Sequence, residues 1–381
     1  MRFLLLCLTI FSFSFFCQGQ ISDSTILAHF KTIETFSTHL PKLVEQLTTP
    51  YSTKEAQFRS IYLWLIHHIS YDFEAIDNRR INQSNQDILE RKKAICWGYS
   101  TILKAMCEEV DIPVMVISGY VRTGLQNDPF LKYPNHAWNA IQINDGWQLV
   151  DATWDSQHLK MPSAFYQKFD SDYYFPEPAI FIVNHLPADP QWQLLDCPIS
   201  IQDFQQPIDS ILQIAKYKDC NTALLAPSYH ASLNYFDQQL QRAINIYQFN
   251  PTDDNRRELA HTQIEYQEHL SKKAERLQLE QKIESLLDIQ LQMIELCEVA
   301  SSLTELYDTQ KENCAYNYFN YAVALSQVEL TAENEQEKLK QILQFFNLAV
   351  KKIEDLPQNV FTKQALTLST DYINYLNTRL K

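Results

Sequence analysis

The chain has 381 residues, is 45% hydrophobic and 20% charged, and carries a formal net charge of −14. That length suits about two domains of ordinary size, and the composition supports packed cores rather than wholesale disorder. The acidic balance, without a long Lys/Arg cluster, excludes an extended phosphate-binding face, so nucleic acid is not an expected partner.

Residues 1–19, MRFLLLCLTIFSFSFFCQG, have the pattern of a secretory signal peptide. Arg2 is the positive start, Phe3 to Phe16 form a short apolar stretch, and Cys17 and Gly19 are small residues ahead of a cut near Gly19/Gln20. The expectation is export, to a secreted or periplasmic location. The apolar run is shorter than the ~20 residues a spanning helix needs, and bulky Phe15 and Phe16 do not suit a lipid-modified Cys17. No later segment reads as transmembrane.

Six cysteines follow the leader: Cys96, Cys107, Cys197, Cys220, Cys297 and Cys314. An even count in an exported chain allows disulfides, although these are too sparse to build a disulfide scaffold. With no C-x-x-C and no H-E-x-x-H, no metal site is expected, and no cofactor.

Four of the five glycines fall between Gly98 and Gly146, and five of the six tryptophans between Trp64 and Trp154. Glycine marks tight turns and close backbone approach, so the architecturally demanding region is about residues 60–155. Within it, Thr53-Lys54 opens a helix in which Phe58, Ile61, Tyr62, Leu65 and Ile69 recur at helical spacing. A second helix starts near Cys96, with Ile102, Leu103, Met106, Cys107 and Val110 as its apolar stripe, and stops at Asp111-Ile112-Pro113. PVMVISGYV is a β-branched strand, followed by the hairpin NHAWNAIQINDGWQLVDATWD from Asn135 to Asp155.

Residues 156–200 are rich in aromatics and proline, as a wrapped extension of the first domain would be. Helix then follows helix to the C-terminus, with breaks at Asn250-Pro251-Thr252-Asp253 and Leu356-Pro357. One unbroken periodic stretch runs from Arg256 to Leu303. The expected organisation is a signal peptide over 1–19, an α+β domain over 20–202 (core about 50–155, extension 156–202), and an all-α domain over 203–381, a bundle or short array.

A thiol at a helix start, as at Cys96, meets unpaired backbone N–H groups and the positive end of the helix dipole, which favour the nucleophilic thiolate. Gly98 lets a substrate or another chain segment approach one turn into that helix. Cys107 is too far down the same helix to bridge Cys96 and reads as core.

If Asp145 and Gly146 form the hairpin loop, His136, Trp138 and Ala140 share a face with Leu149, Asp151 and Thr153. A histidine and a carboxylate on one face is the arrangement that fixes an imidazole tautomer. That register places Asp155 opposite His136 and leaves Asp151 about 13 Å out of line at ~3.3 Å per residue. Local geometry leaves both aspartates open. His67, His68 and His185 read as structural, Trp138, Trp147 and Trp154 as sheet-face packing, and Cys297 and Cys314 as either a bridge or two core thiols.

Cys-x-Gly-Tyr at Cys96–Tyr99, His-Ala-Trp-Asn at His136–Asn139 and Val-Asp-Ala-Thr-Trp-Asp at Val150–Asp155 together resemble the transglutaminase-like superfamily, with its papain-like core. Trp64 through Tyr71-Asp72 is similar to the run such domains carry ahead of the cysteine. FIVNHLPADPQWQLLDCPIS resembles the branch with kyphoscoliosis-type peptidases and related bacterial proteins. The resemblance covers about residues 50–200. It implies a helix bearing the cysteine packed on an antiparallel sheet, and a triad of Cys96, His136 and Asp151, the last favoured over Asp155 by its place in Val-Asp-x-Thr. It also implies that the Cys96 N–H helps hold the oxyanion, while Trp97 narrows the cleft. The expected function is cysteine-dependent acyl transfer on a protein or peptide substrate, as a peptidase or amidase rather than a crosslinker, with the helical domain free to bind a protein partner. The rival expectation is a non-catalytic binding or scaffold protein built on the same domain.

Overall fold

The computed structural model describes residues 21–78, 83–122, 134–144, 146–160, 173–218, 233–331 and 334–381, without the side chains of 157–160. The signal-peptide expectation, Asp145 and Cys220 lie outside these residues. The chain forms two compact units, one running to Val116 and resuming over Ala137–Pro176, the other comprising Ile117–His136 and Glu177–Lys381.

The first unit is assembled around one buried helix. After α1 (Asp23–Phe30) and α2 (Leu40–Thr48), α3 (Lys54–His68) starts where the Thr53 hydroxyl accepts the Ala56 N–H at 3.2 Å. The expected single stripe is exceeded: Phe58 and every residue from Ser60 to Ile66 are buried. A helix apolar on all sides belongs in the middle of a core. Where Ser60 breaks the apolar run, its hydroxyl donates to the Leu47 carbonyl at 2.7 Å.

Ile69 is extended and ends α3, delivering the chain to β1 (Ser70–Tyr71). Two short helices follow, α4 (Phe73–Asp77) and α5 (Asn85–Arg91), the latter opened by a reciprocal cap between Ser84 and Asp87. Lys92, left-handed at φ 54°, turns the chain into β2 (Lys93–Ala94), parallel to β1 with Tyr71 beside Ala94. The cysteine helix α6 (Cys96–Glu108) comes next and buries Tyr99, Ile102, Leu103, Met106 and Cys107 against the α3 core and sheet residues Val114, Ile141, Ile143 and Val150. Asp111, also left-handed at φ 51°, and Pro113 stop it, as read from the sequence.

The sheet has the order β5-β4-β3-β6, from β3 (Val114–Val121), β4 (His136–Ile143), β5 (Gly146–Val150) and β6 (His185–Pro187). β4 and β5 are antiparallel with Ile143 opposite Gly146 and Asn139 opposite Val150. Gly146 is therefore a strand residue and not, as the sequence pattern had it, part of the loop. Asn144 has the positive φ, 52°, that the first position of a tight primed turn requires. Faces are as expected, because a two-residue shift preserves parity.

The second strand is shorter than its sequence pattern suggests. It ends at Val150, and Ala152–Lys160 is a helix, α7. Trp154 is thus a helix residue whose ring meets Tyr173 edge-on at 5.2 Å, rather than a third tryptophan on the sheet face.

In the second unit, α8 (Pro178–Phe181), α9 (Ile201–Phe204) and α10 (Ile208–Tyr217) are short, and long helices follow: α11 (Tyr235–Phe249), α12 (Asp253–Leu279), α13 (Ile283–Leu303), α14 (Asp308–Ser326), α15 (Glu335–Glu354) and α16 (Val360–Arg379). The stretch read as continuous from Arg256 to Leu303 divides between α12 and α13, where Gln281 adopts φ 56°. Successive helices pack on one another through clusters such as Ala322, Leu325, Leu339, Ile342, Phe346 and Leu376. Cys297 and Cys314 bridge α13 to α14 with Cα atoms 5.6 Å apart. Cys197 is also disulfide-bonded. No helix among the described residues is long and apolar enough to cross a membrane.

Candidate active site

Cys96 is the first residue of α6 and, with Cys107, one of two cysteines among the described residues that form no disulfide. Ile95 stands at the cap position with an aliphatic side chain that makes no capping bond. Polar side chains within the helix and from β4 hold it instead. The Ser100 hydroxyl donates to the Cys96 carbonyl at 3.0 Å, and the Asn139 amide donates to the Ser100 carbonyl at 3.0 Å and to the Met115 carbonyl at 3.2 Å. The last residue of His-Ala-Trp-Asn therefore ties β4 to the cysteine helix. Tyr99 donates to the Ile69 carbonyl at 2.8 Å and accepts from Ser156 at 3.0 Å; burial holds its phenol well above the usual range. The other free thiol, Cys107, is fully buried and pushed up by the same cause, so it stays protonated and inert.

Gly98 is where the sequence signals a close approach. A Cβ there would sit 2.6 Å from Gln83 Oε1, 3.1 Å from Ile88 Cδ1 and 3.2 Å from Ala94 Cβ. What approaches is the chain's own Gln83. Trp97, between the cysteine and this glycine, remains 43% exposed.

Asp151 is fully buried at the point where the ribbon turns into α7. Its Oδ1 accepts the N–H groups of Thr153 at 2.8 Å and Trp154 at 3.1 Å, which makes it the cap of α7. Its own N–H donates to the Tyr173 carbonyl at 2.9 Å. Continuing the β4–β5 register by one step brings Asp151 opposite Trp138. Residues two apart on a strand share a face, so within β4 His136, Trp138 and Ala140 lie on one side.

Asp155 has a different environment. It lies within α7, where Oδ2 accepts the Tyr62 hydroxyl at 2.5 Å and Oδ1 accepts the Tyr173 N–H at 3.0 Å. Burial, and then the Asp155 charge, raise the Tyr62 phenol far above its ordinary value. Asp155 is committed to the core.

His136 is half-buried and opens β4; the division between the units falls at the His136–Ala137 peptide. The preceding Asn135 accepts the Val121 N–H on its side-chain oxygen at 2.8 Å and donates its own N–H to the Gly119 carbonyl at 2.9 Å, which fixes the start of the strand. In the same unit, fully buried His185 stacks on Phe181 at 4.2 Å and lies 5.7 Å, centroid to centroid, from the His136 ring. His67 is exposed, and His68 stacks on Trp64 at 5.2 Å as a packing residue.

A half-buried cysteine at a helix start, a histidine-bearing strand and a capping aspartate define a class. Residues 41–152 match the family model described as "Transglutaminase-like superfamily", and this part of the chain is a transglutaminase-like domain followed by a largely helical region. Among curated proteins, the chain is similar to "Kyphoscoliosis peptidase" of Homo sapiens, at 34% identity over 170 residues, 44% of this chain and 26% of that one. It is similar to "Hillarin" of Drosophila melanogaster at 26% identity, over 45% of this chain and 22% of that one. It is also similar to "Lim and transglutaminase domain protein ltd-1" of Caenorhabditis elegans at 24% identity, over 48% and 30% respectively. The alignments thus span about a quarter of these relatives.

Gln83, Arg91 and Ser156 had no motif to mark them, and Asn139 was visible only as part of one. The signal that could have found Gln83 is Gly98 itself, since glycine in a helix costs up to about 1 kcal/mol relative to alanine and calls for a close neighbour.

Proposed function

We propose that the protein is an exported, cysteine-dependent acyl-transfer enzyme acting on amide bonds, with Cys96 as nucleophile, His136 as general base and acid, and Asp151 as the residue that orients the imidazole. The observation that carries this reading is the hairpin register. Extended one step past its last pair, Asn139 with Val150, that register would bring Asp151 to the face shared by Trp138 and His136, and Asp155 is already occupied by Tyr62 and Tyr173.

In the proposed reaction, His136 takes the Cys96 proton as the sulfur attacks the amide carbon. The Cys96 backbone N–H stabilises the resulting oxyanion. Collapse breaks the C–N bond, the amine leaves with the proton from His136, and a thioester remains on Cys96. Water, deprotonated by His136, then attacks the thioester; release of the thiol completes hydrolysis. An amine in place of water would give transfer. Water is the default acceptor, so a peptidase or amidase is favoured over a crosslinker. Trp97, with exposed Phe73 on the segment after β1, supplies apolar surface that suits a peptide substrate. The disulfides at Cys297–Cys314 and at Cys197 support an oxidising, exported location.

The test is alkylation of the leaderless protein by iodoacetamide across pH, in wild type, Cys96→Ala and His136→Ala. The reading requires Cys96 to react faster than an ordinary thiol below pH 8 and to lose that advantage without His136. If neither holds, the domain is a binding platform rather than an enzyme.

A further inference from the structure

We infer that Gln83 is a positioning residue for the nucleophile: its side-chain amide fixes the entry of the cysteine helix by joining the Ile95 backbone to buried Asp72, which is itself paired with Arg91 at the surface. The inference rests on the proposed role of Cys96, but its geometry is independent of that role. The Gln83 Oε1 accepts the Ile95 N–H at 2.9 Å, and Nε2 donates to Asp72 Oδ2 at 3.1 Å. Asp72 is fully buried. Its Oδ2 also takes the Arg91 guanidinium at 2.8 Å, while Oδ1 caps α4 through the Ala75 N–H at 3.1 Å. The Asp72 N–H donates to the Ala94 carbonyl at 3.0 Å. Asp72 and Gln83 thus hold the peptide linking Ala94 to Ile95 from both sides, one residue before the sulfur.

This arrangement supplies what the local sequence lacks. Ile95 cannot cap α6 with its own side chain, so the helix has no intrinsic signal to fix its first turn. A Gln amide both accepts and donates, which lets it link a backbone N–H to a carboxylate. Asn offers the same pair of groups but is one carbon shorter. Gly98 completes the device, because any Cβ there would meet Gln83 Oε1 at 2.6 Å. The orientation of the first turn aims both the Cys96 Sγ and its N–H. Displacements of about 1 Å in such groups cost up to about a hundredfold in rate.

The test uses the leaderless chain and four variants: Gln83→Ala, Gln83→Glu, Gly98→Ala and the double variant Gln83→Ala/Gly98→Ala. Two readouts are taken, the pH profile of Cys96 alkylation and hydrogen exchange at the Ile95 amide. Gln83→Ala and Gly98→Ala are each expected to slow alkylation about tenfold and to speed exchange at Ile95. In the double variant, adding Gly98→Ala should cost little more, because the group it displaces is already gone. Gln83→Glu sets a second carboxylate against Asp72, so its alkylation profile should gain a step at acid pH: near wild type when the pair shares a proton, impaired when both ionise; among the described residues Arg91 is the cation paired with Asp72. Additive losses, or wild-type profiles and wild-type Ile95 exchange in the single variants, overturn the inference. If wild-type Cys96 is unactivated and indifferent to His136, the enzyme reading fails, and the Ile95 exchange data still decide whether the tether exists. A variant without a cooperative melt is replaced by Gln83→Glu at low pH, where the bond to Asp72 can re-form.

Discussion

The two ends of the chain are held together by different means. Around Cys96, position is set by single polar side chains that reach across sequence to backbone atoms: Tyr99 to Ile69, Asn139 to Ser100, Gln83 to Ile95. From α11 to α16, position is set by repeated helix-on-helix packing and one disulfide. Directional bonds can place one atom accurately, but each is lost by one substitution. Distributed packing tolerates small changes and aims nothing in particular. The contrast predicts that substitutions in the first region separate reactivity from stability, while those in the second change stability alone.

The largest effect should come from the two aspartates. Asp151→Asn is expected to slow Cys96 alkylation at neutral pH by on the order of a hundredfold. Asp155→Asn should leave the rate within about threefold while lowering stability by roughly 2 kcal/mol, the scale for disturbing a buried hydrogen-bonded carboxylate. Alkylation kinetics and urea melts of both variants check this. The reverse pattern would move the proposed orienting role to Asp155.

In the helical region, replacing Cys297 and Cys314 by Ser should cost about 3 kcal/mol, the loop-closure value for a bridge spanning this separation. The alkylation rate of Cys96 should not move; a coupled loss would break the comparison. Also in the second unit, Asp189 is held at about 6 by burial, against the opposing help of Asn245, the Gln191 N–H and Arg242. A carboxyl raised in the folded state contributes stability that is fully present below about pH 4 and is lost as pH rises through about 6, some 3 kcal/mol in all. Asp189→Asn should therefore flatten the pH dependence of the melting temperature between pH 4 and 6 and leave the plateau above it higher. The smallest effect is Tyr99→Phe, about 1–2 kcal/mol for a buried carbonyl left unsatisfied, with a modest fall in alkylation rate as α6 loses its tie to Ile69.

Those outcomes bear on what was readable in advance. Helical spacing and Pro-containing breaks marked the long helices after Asn250, yet the division at Gln281 was invisible, because a left-handed residue that is neither Gly nor Asn leaves no local signal. The strand–hairpin order and the shared face of Ala140 and Leu149 followed from alternation. The register did not, since Asn144 rather than Gly146 takes the positive φ that closes the turn. α7 was mistaken for strand because the capping bonds from Asp151 to Thr153 and Trp154 depend on a conformation the pattern does not encode. The tether at Gln83 was hidden for a related reason: its partners lie in β1, α5 and the residue before Cys96, joined only by the fold.

The central claim is that Cys96 is an activated nucleophile served by His136. It is tested most directly by measuring the second-order rate of iodoacetamide with Cys96 from pH 5 to 9, in wild type and in His136→Ala, with site assignment by peptide mass. An activated pair gives a wild-type rate well above that of a free thiol below pH 7, and a His136→Ala profile that falls back to an ordinary cysteine, with Cys107 unlabelled in both. Superimposable profiles at the rate of an unassisted thiol would contradict it.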